Sequence, residues 1–139
     1  MGHDHAMSLH ADAVSRWVDG YLGAFAACAR GEGDMASLLA HFGVPMILTS
    51  EEGLVTLMTD DEAAAVIQSQ VDGLRALGFD HSDVLHSEVT VFNSASAIYR
   101  CTLSRRNVDG HEIDCPTISY LITDDVAGPR IVFLGVHGQ

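Results

Sequence analysis

Lysine is missing from this chain altogether. All seven basic residues are arginine against nineteen carboxylates, so the formal charge is −12 and the pI is near 4.7. A surface of that sign repels phosphate backbones and anionic lipid headgroups, which argues against nucleic acid or a membrane as partner. Cysteine is scarce. Cys28, Cys101 and Cys115 are odd in number and form no C-x-x-C pair, so no disulfide framework is expected. They read as small buried hydrophobes, or as a reactive thiol were Cys101 activated by its neighbour Arg100. No stretch approaches the roughly 20 apolar residues that cross a bilayer, and the start has no basic region followed by an apolar run. The expectation is a soluble, cytoplasmic protein.

Other signatures are absent too. No glycine-rich phosphate loop follows a strand, and no serine sits in a G-x-S-x-G turn. Eight histidines are present, but His81, His86, His111 and His137 show no H-E-x-x-H or similar spacing, and His3 and His5 fall at the very start. Neither a metal nor a cofactor is expected.

What the chain does have is patterned hydrophobicity. At 139 residues, with mean hydropathy +0.18, it has enough apolar content for one core and fits a single domain over residues 8–139. The opening MGHDHAM reads as a tail or tag remnant and is set aside. From Ser8 to Arg30, Val14, Trp17, Tyr21, Phe25 and Cys28 recur at helical spacing. The stretch RGEGD stops that helix, and Asp34 caps a second, predicted over Met35 to Phe42 and ended by Gly43 and Pro45. MILTS and LVTLM flank EEG as a hairpin. Thr59-Asp60-Asp61-Glu62 is a capping box, S/T-x-x-E, that opens a third helix closing at Gly78. Most of the carboxylates in TSEEGLVTLMTDDEA thus have structural work: three start a helix and two sit in a turn.

The remainder predicts four strands in an antiparallel meander, roughly Val84–Phe92, Ala95–Arg106, Glu112–Thr123 and Arg130–His137. The dipeptides Asn93-Ser94 and Asp109-Gly110 supply tight turns. Two-residue turns set Arg105 opposite Asp114, Tyr99 opposite Tyr120 and Arg100 opposite Ser119. One face then carries Arg100, Thr102, Thr117 and Ser119, and the other Tyr99, Cys101, Leu103, Ile118 and Tyr120. Neither face is plainly polar, so both need a cover. The helices serve one side and a second copy of the chain serves the other.

This element order, an N-terminal helix bearing Trp17, Tyr21 and Phe25, and LLAHFGVP leading into the first strand together resemble the nuclear transport factor 2-like superfamily. That group includes the SnoaL-like cyclases, ketosteroid isomerase and limonene epoxide hydrolase. RGEGD, FGVP, SAIYR and DGHEI look like an actinobacterial branch of it. The resemblance covers Ser8 to His137 and implies an α+β fold with a cystatin-like curved antiparallel sheet wrapped around N-terminal helices, in the order α-α-β-β-α-β-β-β-β. A cone-shaped cavity is implied, with dimerisation through the sheet's outer face. On this reading the cavity is lined by Trp17, Tyr21, Phe25, Ser50, Ile67, Arg100, Thr102, Thr117, Ser119 and Leu134. The homodimer uses Tyr99, Leu103, Ile118 and Tyr120.

The family's catalytic signatures are not matched. Ser50 stands where an isomerase carries its carboxylate base, Ser119 where it carries an aspartic acid, and Arg100-Cys101-Thr102 where the epoxide hydrolase has Arg-x-Asp. Candidate catalytic residues are therefore Arg100 and Tyr21, polarising an oxygen, and His41, moving a proton. Each has a plainer role open to it: an ion pair with Glu88, a core tyrosine, or a cap on the second helix. Three functions follow. The first is binding of a small, mainly apolar ligand; the second an isomerase, cyclase or hydratase acting on a small carbonyl or epoxide substrate; the third a non-catalytic dimeric interaction module.

Overall fold

The computed structural model describes residues 9–138; the tail reading of residues 1–7 lies outside them. The elements run α1 (Ala11–Ala29), α2 (Met35–Leu39), β1 (Phe42–Ser50), β2 (Gly53–Leu57), α3 (Asp60–Ala76), β3 (Phe79–Asn93), β4 (Ser96–Asn107), β5 (Glu112–Asp114), β6 (Thr117–Asp125) and β7 (Gly128–Val136). Helix starts follow local chemistry. The His10 ring accepts from the Ala13 N–H at 3.3 Å, and Asp34 accepts from Ala36 at 3.2 Å. Thr59 Oγ1 accepts from the Glu62 N–H at 3.1 Å while Glu62 Oε1 accepts from the N–H groups of Thr59 and Met58. These bonds satisfy donors that the first helical turn leaves unpaired. Gly78, at φ +74, lets the chain leave α3.

Helix α2 is shorter than predicted. It ends at Leu39 because the His41 carbonyl accepts from the Ile131 N–H at 2.8 Å, which draws Phe42 into the sheet beside β7. The strand order is β2-β1-β7-β6-β4-β3, with β5 paired to β4. All pairs are antiparallel except β1 with β7, which run parallel. The predicted strand Glu112–Thr123 is two strands. Pro116 lacks an N–H for the ladder but accepts from Leu103 at 2.9 Å, so β5 and β6 pair with β4 on either side of it. Strand β3 begins at Phe79, five residues earlier than predicted, and three register shifts along it bend the sheet.

Cross-strand register matches expectation at Arg105↔Asp114, Tyr99↔Tyr120 and Arg100↔Ser119. The assignment of faces is reversed. Tyr99, Leu103, Ile118 and Tyr120, expected at a dimer interface, are buried inside the protomer at 2–6% exposure. Arg100, Thr102, Thr117 and Ser119, expected in the cavity, lie on the outer side. Register states which residues share a face, not which face meets the helices. The large apolar set wins because burying each such side chain is worth about 1.5–3 kcal/mol. On the outer side Thr102 and Thr117 satisfy each other at 2.8 Å.

The core between the helices and the inner face holds Val14, Val18, Leu38, Met46, Ile67, Val71, Ile122 and Ile131, none of them more than slightly exposed. Cys28 and Cys101 are buried, Cys115 is half-buried, and all three are free thiols. The chain's three tyrosines also lie inside. Tyr21 meets Tyr120 edge-on at 5.5 Å and Tyr120 meets Tyr99 at 6.4 Å.

Burial raises the pKa of all three phenols above the ordinary 10.0. The native state therefore keeps protons that the unfolded chain gives up near pH 10. Their contribution to stability is complete below that pH and is lost as pH rises through the higher folded values. Absorbance titration is expected to show almost no phenolate around pH 10, then its appearance together with loss of the folded circular-dichroism signal. Ordinary titration centred on pH 10 with the fold intact would contradict this burial.

Candidate functional site

A cavity of about 360 Å³ opens between α1, α3 and the inner face of the sheet. Its size falls within the range of about 300–1,000 Å³ typical of small-molecule sites. Helix α1 contributes Tyr21, Leu22 and Phe25. Gln70, Gly73 and Leu74 come from α3 and Leu77 from its C-cap, at the three- and four-residue spacing that aligns side chains on one helical face. The sheet supplies Leu103, Ile118, Tyr120 and Leu134 as wall, with Ser82 and Arg105 as polar groups. Space persists partly because Gly73 presents no side chain: an added Cβ there would meet nothing within 4 Å.

Arg105 is the charged feature of this wall. Its Nε and Nη2 donate to Asp114 Oδ1 and Oδ2 at 2.6 and 2.8 Å, a bidentate pair across β4 and β5. Arg105 is 21% exposed and Asp114 44%. Its Nη1 has no protein acceptor among the described residues. The guanidinium also reaches Tyr21 and Tyr120 electrostatically, pulling both phenol pKa values down against the larger upward effect of burial. The rings of Tyr21 and Tyr120 meet edge-on at this point, and both residues line the cavity. Cys101, on the same face, has its thiol pushed up to about 11 by burial, so it stays protonated and unreactive at neutral pH.

Of the residues expected to form the site, Tyr21, Phe25 and Leu134 line the cavity. Ile67 is wholly in the core. Trp17 is half-buried and packs against the His41 ring at 5.2 Å, while His41 holds the Leu38 carbonyl at 3.1 Å and so serves the end of α2. Ser50 is exposed in the β1–β2 hairpin, where its hydroxyl accepts from the Glu52 N–H. Arg100 is about half exposed and 3.9 Å from Glu88. Ser119 meets His137 at 2.7 Å on the outer side, and Thr102 meets Thr117 there. Of the three catalytic candidates, Tyr21 and His41 pack ring to ring at 5.7 Å, and Arg100 stands apart on the outer side.

The residues missed are Arg105, Asp114, Tyr120 and the α3 pair Gln70 and Gly73. A signal for Arg105 was available: it lies two positions beyond Leu103, on the face that proved to be inner, and the register already set it against Asp114. Among the described residues no group of three His, Cys, Asp or Glu converges to hold a metal ion. The buried oxygen without a partner, Asp124 Oδ2, belongs to the opposite end of β6 from the cavity. No helix among the described residues is long and apolar enough to cross a membrane, which says nothing of membrane-crossing strands.

The same architecture recurs in solved structures. A protein of unknown function with a cystatin-like fold from Nostoc punctiforme PCC 73102 superposes with a TM-score of 0.70 at 14% identity, covering 94% of this chain and 93% of its own. An NTF-2 like protein from Shewanella oneidensis MR-1 gives 0.69 at 12% identity, with 90% and 96% covered. The association domain of C. elegans CaMKII gives 0.67 at 14% identity, with 91% and 94% covered. Identities this low establish the fold alone. No curated protein matches the chain's sequence. The sequence of residues 11–139, however, matches the family described as NTF2-like protein (DUF6841). With the match running from the first residue of α1 to the end of the last strand and beyond, the chain belongs to that NTF2-like family.

Proposed function

We propose that this protein binds a small, mainly apolar molecule in its cavity and holds one oxygen of that molecule with Arg105 and a phenol hydroxyl of Tyr21 or Tyr120. The supporting observation is the cavity of about 360 Å³, apolar over most of its wall and bearing one guanidinium with an uncommitted amino group. Binding without strong catalysis is preferred to the isomerase, cyclase or hydratase reading. General acid–base chemistry needs a group that exchanges a proton near neutral pH. No histidine lines the cavity, burial keeps both phenols protonated, and Asp114 is committed to Arg105.

A second element of the proposal concerns the outer face. Ile47, Phe133, Leu121 and Ile98 stand in register across β1, β7, β6 and β4, an apolar row on the side away from the helices. A second copy laid on this row would give an isologous dimer, in which each sheet covers the other. One solved structure alike in fold, from C. elegans CaMKII, is itself an association domain. The third reading, an interaction module, thus shares the outer face while the cavity remains for a ligand.

Two experiments test these readings. A thermal-shift screen of aryl and alkyl ketones and acids is expected to find a ligand. Arg105→Met should then weaken that ligand by about tenfold or more, the worth of a hydrogen bond to a charged group, while Arg100→Ala leaves it unchanged. Gly73→Phe should fill the cavity and abolish binding without loss of melting temperature, since glycine is a poor helix former and the space is open. A ligand indifferent to Gly73→Phe and Arg105→Met would end the cavity reading. For the outer face, sedimentation should give twice the chain mass, falling to one chain with Leu121→Arg; a wild type that sediments as one chain would refute the pairing.

A further inference from the structure

We propose that the cavity selects a neutral carbonyl compound over its carboxylate counterpart, and that Asp114 sets this selectivity by neutralising Arg105. The inference rests on the cavity being the binding site and goes further by naming the charge and chemical class of its occupant.

The charges at the cavity make the case. Arg105 is the one charged side chain lining it, and both of its best-placed donors, on Nε and Nη2, already close a planar fork on the two oxygens of Asp114. The pair sums to zero. A carboxylate entering beside Arg105 meets Asp114 as a like charge next to the same guanidinium and loses its water against an apolar wall. The chain as a whole adds repulsion, with nineteen acidic residues against seven arginines. A neutral carbonyl carries none of these penalties. Its oxygen has two lone pairs, and the wall offers two kinds of donor for them: the Nη1 amino group of Arg105 and the phenol hydroxyls of Tyr21 and Tyr120. The phenols suit that role because burial keeps them protonated.

Asp114 therefore acts as a specificity residue and needs no contact with the ligand. An unpaired arginine in the same place would make an anion site, the common use of that side chain. Loss of its carboxylate leaves Arg105, itself 21% exposed, in reach of water, so the fold should tolerate substitution with some loss of melting temperature.

The test is a matched pair of ligands, 2-acetylnaphthalene and 2-naphthoate, titrated by calorimetry near neutral pH. Wild-type protein is expected to bind the ketone about tenfold or more tighter than the acid. Asp114→Asn, close in shape, should tighten naphthoate by about tenfold while moving the ketone by less than about threefold, so that the preference narrows or inverts. Asp114→Ser serves if the first variant melts early, and the wild-type comparison stands without either. Naphthoate binding the wild type as tightly as the ketone, or gaining nothing from loss of Asp114, would overturn the selectivity while leaving the cavity reading in place. Failure of both molecules to bind, with no other ligand found, would remove the cavity reading and this inference with it.

Discussion

Tyr99, Cys101 and Leu103 on β4 and Ile118, Tyr120 and Ile122 on β6 are at most 6% exposed, and all six face the helices. The rest of the molecule depends on that burial. Alternation along a strand commits every second residue to one side, so once these side chains turn inward Arg105 turns inward with them and Arg100 outward. The helices present matching surfaces: Val14, Val18 and Tyr21 from α1, and Ile67, Val71 and Leu74 from α3. At about 1.5–3 kcal/mol for each large side chain, a flip of the sheet that exposed two tyrosines, a leucine and two isoleucines and buried Ile98 and Leu121 among threonines and a serine would cost on the order of 5 kcal/mol, a large part of a typical domain's stability.

The cavity is what this packing fails to fill. Near the middle of α3, Ile67 and Val71 reach the core and close it. Beside and beyond them the cavity is lined by Gln70, Gly73, Leu74 and Leu77, which offer an amide, a hydrogen atom, a buried leucine and an exposed one. Pro116, where β5 and β6 part, lines the same cavity, as does Ser82, which lies between two of the register shifts of β3. The void and the single charged group on its wall therefore arise from neighbouring features, a bare helix position above and a broken strand below.

How much of this could be read beforehand divides along physical lines. Helix starts were legible because capping is local: Thr59 and Glu62 specify their own bonds three residues apart. The register of β4 with β5 and β6 was legible, but that of β3 with β4 was not: the turn falls at Ser94-Ala95, held by the Asn93 side chain, rather than at Asn93-Ser94, so Val89 opposes Tyr99 on the inner face. The side facing the helices was not legible, since a sheet with apolar residues on both faces gives no local vote. Comparing bulk would have helped, because the face with Tyr99, Leu103, Ile118 and Tyr120 outweighs the one with Arg100, Thr102, Thr117 and Ser119. The parallel pairing of β1 with β7 was equally out of reach, as its partners lie more than eighty residues apart in the chain. The error in faces moved the candidate arginine by five positions and placed the site on the wrong side of the sheet.

That displacement also explains why Arg105 and Arg100 differ in chemistry despite sharing a strand. Arg100 faces outward, about half exposed, with Glu88 at 3.9 Å; water screens it, and a pair of that kind is worth little. Arg105 faces a cavity whose walls are apolar, where an uncompensated guanidinium would be costly. Asp114 removes the cost by a two-pronged contact, and it can do so because β5, cut from β6 at Pro116, holds it directly opposite. The same proline that breaks the strand thereby makes the paired arginine affordable at the cavity wall. What faces the cavity is therefore a polarised but neutral edge rather than a full positive charge.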